Sequence, residues 1–174
     1  MQDRSRSGDD RQAEPGDRDR FLEIAAALTG VSFWSEGAGS DLEDELLAAV
    51  CAGDLDQAQQ LVRTGADPNA RTPEGWTSIN FAIEHDHPEV LVFLLSAGAD
   101  PNTATSTGWT ALHHAVDCEA DYAHQAGTPL DLRLIGPLLR AGANPHTSTI
   151  GEPRTPIDVA RHYLYEEAVR AMDT

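Results

Sequence analysis

Lysine is absent from this sequence, and arginine supplies all of its fixed positive charge. The 12 arginines face 29 acidic residues, which gives a formal net charge of −17. A field of this sign opposes binding to nucleic acid and to anionic lipid, and it favours a basic protein partner. The alternative interpretation is that the acidity serves only solubility, as in a salt-adapted or lysine-poor proteome.

Long apolar runs are absent as well. No stretch reaches the ~18 apolar residues that a membrane span requires, and no hydrophobic segment follows the charged amino terminus as it does in a secretory signal. We therefore expect a cytoplasmic monomer that binds neither membrane nor nucleic acid. Cysteine is scarce too, because Cys51 and Cys118 are too few for a disulfide framework and lack the spacing of metal ligands.

The sequence does contain a repeat with a period of 33 residues. Gly-Ala-Asp-Pro-Asn occupies residues 65–69 and again 98–102, and a shorter copy, Gly-Ala-Asn-Pro, occupies 142–145. A 33-residue period with a Thr-x-Leu-His-x-Ala opening is the signature of stacked helix pairs. Residues 110–115, Thr-Ala-Leu-His-His-Ala, carry that opening. On these motifs, residues 41–174 resemble the ankyrin-repeat family.

The resemblance implies an all-α solenoid of about four helix pairs, joined by hairpin loops. It also implies a non-enzymatic protein–protein interaction module. The predicted repeats cover about residues 41–71, 72–104, 105–149 with an insertion, and 150–174 as the terminal cap.

The first 40 residues precede the repeats. Residues 1–20 mix Asp, Arg, Ser and Gly with almost no apolar side chains, so we expect a disordered tail. Residues 21–40 are expected to form a capping helix and a linker, since apolar residues from Phe21 to Leu28 recur at helical spacing. The string at 21–30 also resembles the opening of small subunits of membrane-bound sugar dehydrogenases. That resemblance implies an alternative function, an accessory protein that escorts a cofactor-containing enzyme.

The third repeat departs from the pattern in two ways. An insertion at residues 119–128 is expected to be a surface loop, which either carries specificity or is simply tolerated. Gly136 and Pro137 then fall inside the predicted second helix, where proline removes a backbone hydrogen bond and clashes with the preceding turn. We expect a kink or a break in that helix.

A zinc set is the main hint of chemistry, and it would make the protein a metal-dependent enzyme. The set comprises His113, His114, Cys118 and His124. His85 is also predicted to lie beside Cys118, on an adjacent helix. Against this, His113 occupies the His of the family motif, and the resemblance implies that it bonds backbone to hold neighbouring loops together. No nucleophile elbow and no phosphate-binding Gly-rich loop is present. We therefore predict no enzyme activity, no cofactor and no metal.

The resemblance places the partner-binding surface on the loop tips and on the exposed side of the first helix of each pair. Two tryptophans, Trp76 and Trp109, lie on this surface. They either pack one loop on the next or act as exposed anchors for a basic partner, among acids that include Glu119. The leading functional hypothesis is an inhibitor or immunity-type protein. The predicted binding residues are Pro73, Glu74, Trp76, Glu84, His85, Ser106, Thr107, Trp109, Asp117 and Cys118.

The repeat register predicts that Cys51 and Cys118 are both free thiols. They lie at nearly equivalent points of the first and third repeats, and stacked helices pack 8–10 Å apart, so about 20 Å separates them. A disulfide requires Cα atoms within about 7 Å. Mass mapping without reduction should find two free thiols, and an intramolecular bridge would contradict the register.

Overall fold

A computed structural model describes residues 41–72, 75–151, 153–163 and 165–173 of the 174-residue chain. The predicted tail at 1–20, the predicted capping helix at 21–40, and Pro73 and Glu74 lie outside the described residues. Over the described ranges the chain forms eight helices and two isolated β-bridges, with no longer strand. None of these helices is both long and apolar enough to cross a membrane.

The eight helices form four successive pairs in two layers. The first helices of successive pairs pack against one another as an inner layer, and the second helices pack as an outer layer. The predicted all-α solenoid is thus confirmed. The pairs are α1 (Asp41–Ala52) and α2 (Leu55–Thr64), α3 (Ser78–Glu84) and α4 (Pro88–Ser96), α5 (Ala111–Ala126) and α6 (Ile135–Arg140), and α7 (Pro156–His162) and α8 (Glu166–Met172).

The core lies between the two layers and between neighbouring pairs. Phe81 and Leu112 of the inner layer and Leu91 and Leu138 of the outer layer are fully buried. Burial of one such side chain stabilises the fold by about 1.5–3 kcal/mol. Since much of this surface is covered by the next pair rather than by the same one, each pair depends on its neighbours.

Asparagine side chains join the loop of one repeat to the loop of the next. The side-chain amide of Asn69 donates to the carbonyl of Gly98 at 3.0 Å, and its oxygen accepts from the backbone amide of Asp100 at 2.8 Å. Asn102 makes the corresponding pair of bonds to the Gly142 carbonyl, at 3.0 Å, and to the Asn144 amide, at 2.7 Å. These bonds fix the register between successive repeats.

The insertion in the third repeat is helical, and the expectation of a surface loop is wrong. The inner helix α5 continues through the inserted residues and ends at Gly127, which is left-handed with φ 63°. Ala120 and Ala123 give the added turns a buried face, and the Ala120 carbonyl accepts from the Tyr165 hydroxyl at 2.7 Å. The insertion contains several alanines, and alanine favours helix, which explains why the helix runs on.

A kink or a break inside the helix was predicted at Gly136 and Pro137, but these residues lie at the helix start, because α6 begins at Ile135 and Pro137 falls in its first turn. Proline is tolerated there, since its missing N–H has no partner within the helix. The carboxylate of Glu119 supplies the helix start. Its Oε1 accepts from the backbone amides of Leu134, at 2.5 Å, and Ile135, at 3.4 Å. An acidic group at a helix N-terminus is favoured by the helix dipole.

Replacing Asn102 by Ala should destabilise the fold by about 1–2 kcal/mol, because it removes two hydrogen bonds between exposed loops. Asn102→Asp is the matched variant, since it keeps an acceptor for the Asn144 amide but loses the donor to Gly142. We expect its midpoint in urea denaturation to lie between those of wild type and Asn102→Ala. A midpoint of Asn102→Ala equal to that of wild type would exclude a stabilising role for these bonds.

The stability of the protein should fall with rising pH because of Glu119. Burial raises the pKa of this carboxyl to about 7 from its ordinary value of 4.5, although the bonds from Leu134 and Ile135 partly oppose the shift. The unfolded chain releases this proton near the ordinary pKa of 4.5, whereas the folded chain keeps it until about pH 7. The stabilisation is therefore full below pH 4.5 and is lost as pH rises towards 7. A shift of this size corresponds to a loss on the order of 3 kcal/mol.

Glu119→Gln isolates this effect, because glutamine keeps an acceptor oxygen and does not titrate. Free energies of unfolding measured in urea between pH 4.5 and 7.5 should fall with rising pH in wild type relative to Glu119→Gln, so the two proteins should differ least at pH 4.5 and most above pH 7. Glu167→Gln, at an exposed acid of α8, controls for the loss of one negative charge. Parallel curves for wild type and Glu119→Gln would contradict the assignment.

Candidate functional site

His113 of α5 has a structural role. Its Nδ1 accepts from the backbone amide of Thr110 at 3.1 Å, and its Nε2 lies 3.0 Å from the carbonyl oxygen of Arg154 in the next loop. Burial lowers the pKa of His113, which favours the neutral ring that this pair of bonds requires. The backbone-bonding role implied by the family motif is therefore confirmed.

The two tryptophans differ in accessibility. Trp76 is 5% exposed, and its ring packs edge-on against His114 with the ring centroids 5.2 Å apart. Trp109 is half-buried and stacks on His113 at 4.9 Å. The prediction of an exposed anchor is therefore wrong for Trp76, because its ring is covered by packing on the inner helices. Trp109 retains part of its surface for contact.

The predicted acids that the structure describes, Glu84, Asp117 and Glu119, all contact other groups of the protein. The carboxylate of Glu84 lies 2.8 Å from His114 Nε2, and its side chain is 6% exposed. Asp117 accepts from the Tyr163 hydroxyl at 2.7 Å, and Glu119 points to the start of α6. Carboxylates on a packed face require such partners, since burial of an unpaired charge is costly. Glu84 and Glu119 are thus withdrawn from the surface, while Asp117 is half-buried.

Glu84, His114 and Cys118 form a cluster in which the ligand atoms lie within 4.8 Å of one another. We call these three residues the Glu-His-Cys cluster. The Cys118 thiol donates to Glu84 Oε2 at 3.8 Å. Of the predicted zinc set, the cluster contains His114 and Cys118, while His113 is engaged with backbone and His124 is exposed on another part of α5. The third member, Glu84, was predicted as a partner-binding residue and not as a metal ligand.

Other predicted residues remain accessible around the loop tips. Ser106 is exposed, and Thr107 and His85 are half-buried. His85 stacks with His87, with ring centroids 6.2 Å apart, and burial lowers its pKa. His85 does not belong to the Glu-His-Cys cluster. The residue before it, Glu84, is the one whose side chain reaches His114 of α5.

Ile150 was not predicted, although it is the most exposed large apolar side chain among the described residues, at 73%. It lies in the loop before α7, and its backbone amide donates to the Thr107 carbonyl of the preceding loop at 2.7 Å. A single isoleucine in an otherwise polar loop was the available signal. We call Thr107, Trp109 and Ile150 the loop-tip surface.

A family model described as ankyrin repeats, with three copies, matches residues 46–125. The match begins inside α1 and ends one residue before the end of α5. It therefore covers two helix pairs and the inner helix of the third, and the remaining described helices continue the same two layers. No curated protein matches the chain.

Proposed function

Because this chain is an ankyrin-repeat protein over residues 46–125, we propose that it binds another protein through the loop-tip surface and the adjacent inner helices. Repeats of this family generally mediate protein–protein interaction. The observation that carries the proposal is the exposure of Ile150 on a loop tied to its neighbour by a backbone hydrogen bond. An apolar side chain held in place loses little freedom on binding, which favours its use as a contact residue.

The proposed partner is basic, and the finer proposal is that binding blocks it, as an inhibitor or immunity-type protein would. The net charge of −17 and the absence of lysine support a basic partner through long-range attraction. The alternative accessory function rests on residues 21–30, which lie outside the described residues. It has no support from the loop-tip surface.

Replacing Ile150 by Asp should weaken partner binding by about 30-fold, as expected where a contact contributes about 2 kcal/mol. Val92→Asp is the matched control. Val92 is also exposed, at 48%, but it lies on the outer helix α4. Both changes place a carboxylate at an exposed apolar position, so effects on solubility and charge should be similar. The control should bind almost as wild type.

The partner is first captured from extract of the native cell and then purified, and its association and dissociation rates are measured over a range of salt. An association rate that falls with salt supports a basic partner, because salt shortens the Debye length from about 10 Å at 0.1 M to about 3 Å at 1 M. A rate independent of salt would exclude electrostatic steering while leaving the surface in place. Equal affinities for the two Asp variants would overturn the surface itself.

A further inference from the structure

We propose that the Glu-His-Cys cluster binds Zn²⁺ between the second and third repeats. Glu84 ends α3, while His114 and Cys118 lie on α5 at positions i and i+4, which present side chains on one face of a helix. Imidazole nitrogen, thiolate sulfur and carboxylate oxygen are the three ligand types that zinc takes in proteins. The site is independent of the loop-tip surface.

The distances require only small side-chain movements. Zinc bonds of about 2.0–2.3 Å in tetrahedral geometry place ligand atoms about 3.3–3.7 Å apart. Glu84 Oε2 now lies 2.8 Å from His114 Nε2 and 3.8 Å from the Cys118 sulfur, and all three ligand atoms fall within 4.8 Å. The nitrogen and oxygen must separate by about half an ångström, while the oxygen and sulfur already lie close to the required separation.

The surroundings of the cluster suit a divalent cation. The side chains of His114 and Glu84 are 3% and 6% exposed, so both are largely withdrawn from water. The Trp76 ring packs against the imidazole and restricts its orientation. One carboxylate and one thiolate balance the two charges of Zn²⁺, and a buried charge is tolerated when it is compensated in this way. Cys118 is partly exposed, which provides access from solvent.

Zinc binding changes the proton count at the cluster. The Cys118 thiol releases its proton to solvent, and the zinc replaces the hydrogen in the bond between Glu84 and His114. The neutral imidazole of His114 then carries its single proton on Nδ1, so Nε2 is the nitrogen that binds the zinc. Affinity should therefore fall as the solution becomes more acidic, as it does for thiolate zinc sites in general. Three protein ligands leave a fourth position for water or another ligand.

The test is a titration of the purified, reduced full-length protein with Co²⁺ after treatment with chelator. We expect one equivalent to produce a thiolate-to-cobalt charge-transfer band in the near ultraviolet, and Zn²⁺ to abolish it by displacement. Binding by histidines alone, for example at His85 and His87, would produce no such band. Absence of the charge-transfer band in the wild-type protein would overturn the proposal.

Variants assign the band to the cluster. Cys118→Ser should remove the charge-transfer band. It should also weaken Zn²⁺ binding more than roughly 10–100-fold, which is the cost of losing a residue that only supports a metal ligand. Cys51→Ser is the matched control, since it removes the other thiol from α1 and should leave the titration unchanged. Glu84→Gln keeps an acceptor for His114 and should weaken binding, which provides a second test if Cys118→Ser does not fold. A band that persists in Cys118→Ser, or is lost in Cys51→Ser, would overturn the assignment.

Discussion

The register between successive repeats is the constraint on which the rest of this structure depends. Asn69 and Asn102 set it in the loops, where each side chain donates to a carbonyl and accepts from an amide of the next repeat. His113 adds a bond to the Arg154 carbonyl beside the inner layer. A helix pair alone leaves apolar surface uncovered, so the core is complete only when neighbours stack in this register. The proposed loop-tip surface and the Glu-His-Cys cluster also combine residues of neighbouring repeats.

The distribution of negative charge follows from the same packing. Glu84 is held by His114, Asp117 accepts from Tyr163, and Glu119 starts α6. These acids therefore make contacts between helices. In the proposed function, overall charge acts at long range on an approaching basic partner, while the loop-tip surface offers apolar and hydroxyl groups for contact. The proposal thus assigns steering and contact to different parts of the molecule.

The sequence by itself determined the architecture. The 33-residue period predicted the stacked helix pairs, and Gly65, which opens the repeated motif, ends α2 as a left-handed residue with φ 113°. The position of His113 in its motif, together with the family resemblance, predicted its bond to backbone. These features depend on local backbone geometry and on translation by one repeat. Both are visible in the spacing of residues along the chain.

Only the tertiary structure decided which side chains meet. It turned Glu84 rather than His85 towards His114, buried Trp76 and left Ile150 exposed. It also brought Glu119 to the start of a helix 15 residues further along the chain. A repeat period locates a helix but not the neighbour that each of its faces meets. Since one residue along a helix rotates a side chain by about 100°, the members of the Glu-His-Cys cluster and of the proposed loop-tip surface followed from packing.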